Sequence, residues 1–383
     1  MSLSFFSLVM SALFSTFLVL VIHLLRTKDF FLKAFGPHTI LLLYGFTLFR
    51  MLLAWEPSFS TPLETYLVYT HLYRSVRNVT VAAGGFRFAF LDCVCVIWLS
   101  ISFILAARFF WMNFTSVRKV VRGSTDGGSA AYQMLETIKK ETRRQPFVRV
   151  RICPGLEGPM GIGLIRKRIF LPDEPYTKQE LYYILKHEYT HFCNHDLLIK
   201  YLVRLFASLF WWNPAVYLLK KDVSELIEIR CDMTVTKDFD RKEQLAYLLT
   251  IVRILKGGQP PQEMPPHMLA TGLLNKERKI LMERFDMVIS KRRLVSKWCR
   301  GAFWALFFTL FFLSYCFILQ PAYDPPREDI YTDDSVIELD SEDFNMVENP
   351  DGSVSIVLPN GESYPVKDHI ADLLDLENSL KEK

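Results

Sequence analysis

The sequence predicts a mostly α-helical protein that crosses a membrane several times, carrying a small α+β unit before its last crossing and a short β-rich tail after it. Three observations support this. Half of the 383 residues are hydrophobic, 31 of them phenylalanine. The apolar residues gather in blocks of about 20, the length that spans a bilayer as a helix. Charge is also divided: residues 321–383 carry 17 Asp/Glu against 4 Lys/Arg, whereas the rest of the chain carries 41 Lys/Arg against 24 Asp/Glu. A basic body joined to an acidic tail fits segments held on opposite sides of a membrane.

Four blocks have spanning character: 3–25, 37–55, 93–114 and 301–319. The first has its positive charge, Arg26, after the apolar run, unlike a cleaved signal peptide, so it reads as a retained helix. The second contains Arg50 near its end, where a long side chain can snorkel to water. The third holds Arg108 near one end, and the fourth has no charge. Lys and Arg beside spanning helices mark the cytoplasmic side. Arg118, Lys119 and Arg122 follow the third block, and Lys291, Arg292, Arg293, Lys297 and Arg300 precede the fourth. Residues 1–114 therefore form three membrane helices, 115–300 a cytoplasmic domain, 301–319 the fourth helix and 320–383 an extracellular tail. Both termini lie outside. The seven cysteines show no CxxC pairing, which argues against a disulfide framework or a cysteine zinc site.

Within 115–300, Arg122–Ser129 has linker composition and Ala130–Arg144 reads as a charged helix. Phe147–Cys153 and Ile162–Leu171 read as strands. Thr177-Lys-Gln-Glu180 is a capping box opening a long helix. Helix is expected again over 198–220, broken at Asn213-Pro214, and over 221–237, and 257–266 is a Pro-rich loop. In the tail, Asn349–Gly352 and Asn360-Gly361 bracket the alternating run Val354, Ile356, Leu358, which predicts a β-meander, and 368–383 predicts an amphipathic helix.

The helix opened by Thr177 contains His187-Glu188-Tyr189-Thr190-His191, an HExxH motif, and neither Gly nor Pro occurs from Tyr176 to Trp212. Residues four apart share a helix face, so both imidazoles can reach one Zn2+, and Glu188 projects beside it as a general base. A catalytic zinc takes three protein ligands and keeps one position open. The segment Glu225-Leu-Ile-Glu228-Ile-Arg-Cys-Asp232 supplies candidates for the third.

His187–His191, Asp196, Phe210-Trp-Trp-Asn-Pro214, Glu228-x-x-Cys231-Asp232 and the run Gly163–Pro172 together resemble the membrane-embedded metallopeptidases of the beta-lactam-sensing antirepressor type, which are gluzincins. The resemblance covers roughly residues 90–320. It implies a zincin-like cytoplasmic domain, Glu228 as the third zinc ligand and Asp232 as an acceptor orienting a ligand histidine. Glu225 reads as an ordinary helix carboxylate, Cys231 as a packing residue and His195 as structural or substrate-side, while spacing leaves Asp196 open. The strand at Gly163, Leu164, Ile165 and Arg166 is expected to pair with an extended substrate. The resemblance further implies self-cleavage around Asn275 and Lys276, within 273–278, and a cytoplasmic transcriptional repressor as substrate. A homodimer, an acidic tail that either takes an extracellular ligand or is a solvated end, and no direct nucleic-acid binding complete the expectation. Residues 320–383 lack a Ser-x-x-Lys motif, so acylation of this tail by a beta-lactam is not expected. Two other readings remain open at this point: a housekeeping membrane protease, and a non-enzymatic receptor with a structural metal.

Overall fold

The computed structural model of the chain describes residues 5–54, 57, 60–65, 80–83, 86–142, 145–255, 272–290, 295–321, 345–348, 354–357 and 363–365. It contains two compact units, Met1–Pro321 and Ala322–Lys383. In the second, strands Asn345–Glu348, Val354–Val357 and Ser363–Pro365 form an antiparallel three-stranded meander with the middle strand central. The helix expected at 368–383 and the loop at 257–266 lie outside the described residues.

The first unit begins with α1 (Phe5–Arg26) and α2 (Asp29–Leu52), followed by strands β1 (Thr61–Thr65), β2 (Thr80–Ala83) and β3 (Phe86–Ala89) and by α3 (Phe90–Arg122). Helix α3 has 33 residues and so extends about 50 Å, because nothing interrupts it before Gly123. It outruns the end expected at Phe114. Its Val96, Phe103, Ile104 and Trp111 are exposed along the apolar stretch.

Three described helices are long and apolar enough to cross a membrane: Ser7–Arg26, Cys93–Arg122 and Lys297–Cys316. Helix α2 is not among them. It starts earlier than the apolar block, carries Asp29, Lys33 and Arg50, and bends at Gly36, whose φ is 78°, ahead of Pro37. Arg50 does not snorkel. It is buried and donates to the hydroxyl and carbonyl oxygens of Ser314 at 2.9 and 3.1 Å, with its guanidinium 4.0 Å from the Tyr315 ring.

The strand β4 (Thr125–Asp126) opens the middle portion and pairs with β5 (Val148–Ile152), so the segment expected as a flexible linker is part of a sheet. Gly127 permits this: its N–H bonds to the Val150 carbonyl, and a Cβ there would sit 2.8 Å from that oxygen. After β4 comes α4 (Gly128–Glu141), and after β5 come β6 (Met160–Ile162) and β7 (Lys167–Leu171). The sheet order is β4-β5-β7-β6, with β7 parallel to β5 and antiparallel to β6. The single strand expected over 162–171 is therefore a hairpin. Gly163 adopts φ 101°, a conformation where a Cβ would meet the Arg166 carbonyl at 2.2 Å, and residues 163–166 form the turn.

Next come α5 (Lys178–Cys193), α6 (Asp196–Leu209), α7 (Pro214–Val235), α8 (Arg241–Leu255), α9 (Gly272–Ile289) and α10 (Lys297–Cys316). The Asn213 side chain accepts from Ala215 N–H at 3.0 Å and Pro214 occupies the first helical position, so α7 starts there. No breaker follows, and the boundary expected near residue 221 does not exist. Beyond α10, β8 (Phe317–Pro321) runs parallel to β1, which ends the fourth apolar helix three residues early.

The largest core joins α1, α2, α7 and α10 through Ile22, Leu43, Leu219, Leu226 and Phe311. A second packs Leu135, Val150, Ile169, Leu185 and Tyr189 between the sheet, α4 and α5. A polar cluster interrupts the first core. Asp222, fully buried on α7, takes His23 Nδ1 at 2.7 Å and the Tyr44 hydroxyl at 2.5 Å, with Arg26 at 3.7 Å. Arg26 also pairs with Glu225, and with Glu283 at 3.3 Å. Pairing is what makes such charges tolerable away from water.

Candidate metal centre

The capping box at Thr177 forms in both directions, with the Glu180 side chain accepting from Thr177 N–H at 2.9 Å and the Thr177 hydroxyl accepting from Glu180 N–H at 3.2 Å. It starts α5 in the phase that turns His187 and His191 toward α7. Their Nε2 atoms lie 3.1 Å apart, and Glu228 Oε2 lies 3.5 and 3.6 Å from them.

The outer hydrogen bonds decide which ring nitrogens carry protons. Asp196 Oδ2 sits 2.6 Å from His191 Nδ1 and is also paired with Arg230. A carboxylate oxygen accepts, so His191 donates from Nδ1, which leaves Nε2 as the nitrogen that can ligate a metal when it is deprotonated. For His187 the link is longer: Nδ1 donates to the Tyr247 hydroxyl oxygen at 2.8 Å, and that hydroxyl donates to Asp232 Oδ1 at 2.6 Å. Asp232 also receives Arg284 through two bonds of 2.6 and 2.9 Å. Lys200 at 3.1 Å occupies Glu228 Oε1, leaving Oε2 facing the imidazoles.

Three potential ligand atoms thus converge, the two imidazole nitrogens becoming acceptors once they give up their protons. A point equidistant from the three lies about 2 Å from each, the zinc–nitrogen and zinc–oxygen bond length. The donor set fits a divalent cation of the zinc type. Among the described residues, His187, His191 and Cys231 also place potential ligand atoms within 4.8 Å of one another. Cys231 Sγ is 3.6 Å from His187 Nδ1 and donates to the His187 carbonyl at 3.3 Å.

Burial alone would raise the Glu228 carboxyl, but His187, His191 and Lys200 outweigh it and hold it well below the usual range. Asp232 is likewise lowered, against its burial, chiefly by Arg284 and His187. Burial and the Asp232 charge push the Tyr247 hydroxyl well above its ordinary value, so it stays a neutral donor. The imidazoles of His187 and His191 are raised despite burial by Cys231 and the surrounding carboxylates, so a metal competes with protons for these sites.

A cleft of about 170 Å³ opens on this cluster, lined by His187, Glu188, Glu228, Tyr247 and Arg284. Glu188 faces β6: a Cβ on Gly161 would come 3.2 Å from its Oε2. In the described sheet β7 is paired on both sides, whereas β6 has its outer edge free. The residues expected to bind substrate, Gly163, Leu164, Ile165 and Arg166, are in the turn, and the open edge belongs to Met160–Ile162. Asn275 and Lys276 are in the first turn of α9. His195 is the left-handed residue, φ 58°, between α5 and α6. Glu225 pairs with Arg26, as an ion-paired helix carboxylate. Tyr247 and Arg284 have no signature in the sequence.

Helices long enough to cross a bilayer, joined to a histidine pair backed by carboxylates, describe a membrane protein with a candidate metal site. The family model for BlaR1 peptidase M56 matches residues 7–288, and the chain belongs to that metallopeptidase family. It is similar to the methicillin resistance mecR1 protein of Staphylococcus aureus, 26% identical over 186 residues, covering 43% of this chain and 32% of that protein. The regulatory protein BlaR1 of Bacillus licheniformis is 34% identical over 116 residues, covering 30% of this chain and 19% of that protein. The matches thus span a third or less of the length of these relatives.

Proposed function

We propose that the chain is a zinc endopeptidase of the plasma membrane and a signal transducer, in which His187, His191 and Glu228 hold the metal and Glu188 is the general base. The observation that carries this is the convergence of two imidazole nitrogens and one carboxylate oxygen beside Glu188 and an open strand edge. Glu228 is preferred to Cys231 because its oxygen faces both Nε2 atoms, while the thiol meets His187 at Nδ1.

A zinc ion there supplies polarisation of the scissile carbonyl and acidification of a water. The chain's own residues do the rest. Glu188 takes a proton from the attacking water and delivers it to the leaving amine. Tyr247 with Asp232, and Asp196, keep the two histidines in the Nδ1–H form. The free edge of β6 offers backbone groups to an extended peptide, replacing the turn 163–166 as the substrate strand. Arg284 lines the cleft and neutralises Asp232.

Four crossings, including α2, put 115–300 in the cytoplasm and the acidic tail outside. There an extracellular event acts on the tail or the helices, and cleavage of the chain near Asn275 and Lys276, or of a cytoplasmic transcriptional repressor, carries the signal inward. The relatives' names, a regulatory protein and a resistance protein, support a signalling role over housekeeping proteolysis. Mass spectrometry of the full chain expressed with its repressor, wild type beside Glu188→Ala, tests this. Induction should generate fragments only in the wild type, with equimolar zinc in both. Identical fragments in both proteins, or no zinc in either, would refute it.

A further inference from the structure

A second hollow lies apart from the metal cleft and shares none of its lining residues. It is an apolar groove of about 630 Å³ between α3 and the turn of the β6–β7 hairpin. Phe110, Trp111 and Phe114 form one wall and Leu164 and Ile165 the other, with Tyr201 of α6 at the floor. Ile165 is 95% exposed and adjoins exposed Leu164 on one side of the groove, with exposed Phe110, Trp111 and Phe114 on the other, so the apolar surface is contiguous.

We propose that this hairpin tip inserts into the lipid bilayer beside α3 and that lipid acyl chains fill the groove. The first support is continuity with a spanning helix. The candidate span Cys93–Arg122 has 30 residues, about ten more than hydrocarbon requires, so Ala107–Val117 straddles the boundary between acyl chains and headgroups. The second is chemistry matched to that boundary. Trp111 and Tyr201 are the aromatic types favoured there, and exposed Arg118 and Lys119 on α3 lie at headgroup depth with exposed Arg166 of the tip. The third is the turn itself. The left-handed Gly163 closes it tightly and projects Leu164 and Ile165 outward, both exposed, rather than into a protein core.

The inserted tip holds β6, which it follows directly in the chain, at the membrane face. A peptide that pairs with β6 therefore reaches the cleft along the bilayer surface, which favours membrane-proximal segments over peptides free in solution. The insertion itself needs neither metal nor peptidase activity.

The test uses the full chain in vesicles of phosphatidylethanolamine and phosphatidylglycerol, with a diazirine amino acid close to isosteric with the native residue placed at Ile165. Phe103 on α3 sets the lipid-exposed standard and Leu245 on α8 the water-exposed one. Lipid adducts at Ile165 should exceed those at Leu245 on the order of tenfold, the bias expected from moving one such side chain out of water. An Ile165 yield at the Leu245 level would overturn the proposal, whatever the protein's activity.

Discussion

Replacing Tyr247 with phenylalanine removes one oxygen atom, and the geometry fixes what that should cost. The hydroxyl bridges His187 Nδ1 at 2.8 Å and Asp232 Oδ1 at 2.6 Å. Without it Asp232 keeps both bonds from Arg284, so no carboxylate is left unpaired. His187 retains a fallback, since Asp232 Oδ1 is already 3.4 Å from its Nδ1 and a small ring rotation closes the gap. Loss of an outer partner of a metal histidine typically costs between tenfold and a hundredfold in affinity, and with this fallback we expect about tenfold, or about 1.4 kcal/mol. Asp232→Ala has no such reserve. It removes the acceptor of the whole link and strands the largely buried Arg284, so about a hundredfold or more is expected. The assay is competition for zinc against a graded series of chelators, using the full chain in detergent with helicity checked by circular dichroism. Wild-type affinity in Tyr247→Phe, or a greater loss there than in Asp232→Ala, would refute the assignment of Tyr247 as the link between them.

Three more outcomes follow from the same geometry. Glu228→Ala should abolish equimolar zinc, whereas Cys231→Ala should retain it; the reverse pattern by elemental analysis would move the third ligand to the thiol. Gly161→Ala places a Cβ 3.0 Å from the Phe192 ring and 3.2 Å from Glu188 Oε2, so cleavage should slow about tenfold with zinc retained, and an unchanged rate would place the base elsewhere. Asp222→Ala leaves Arg26 without one of its buried partners and should destabilise the chain by about 3–5 kcal/mol, seen as a lower midpoint in thermal unfolding, and a wild-type midpoint would contradict that pairing.

What could be read in the sequence was local. The Thr177 box and the histidine pair depend on spacings of three and four residues along one helix, which a linear pattern preserves. The meander likewise follows from turn residues flanking a short alternating run. What could not be read depends on residues distant in the chain. Tyr247 reaches His187 across 60 positions and Arg284 reaches Asp232 across 52, and a lone tyrosine or arginine on a helix looks like any surface residue until helices pack. Asp196 lies only five residues beyond His191, yet its role depends on His195 adopting φ 58°, which turns the chain and aims the carboxylate back. Arg50 was misread for the opposite reason: a charge at a helix end normally finds water, and here it finds Ser314 on a helix 264 positions away. Gly127 looks like flexibility and Gly163 like part of a strand, yet they permit a close backbone approach in a sheet and a tight turn.

Asp222, Glu225, Glu228 and Asp232 recur along α7 at intervals of three and four residues, so one stripe of that helix meets the first apolar helix at its start and the histidines at its end. Three residues, about 4.5 Å of rise, separate Glu225, which pairs with Arg26, from Glu228, the carboxylate facing the histidines. One continuous helix therefore carries both the ion pair with the N-terminal helix and the carboxylate beside the histidines, with no loop between the two.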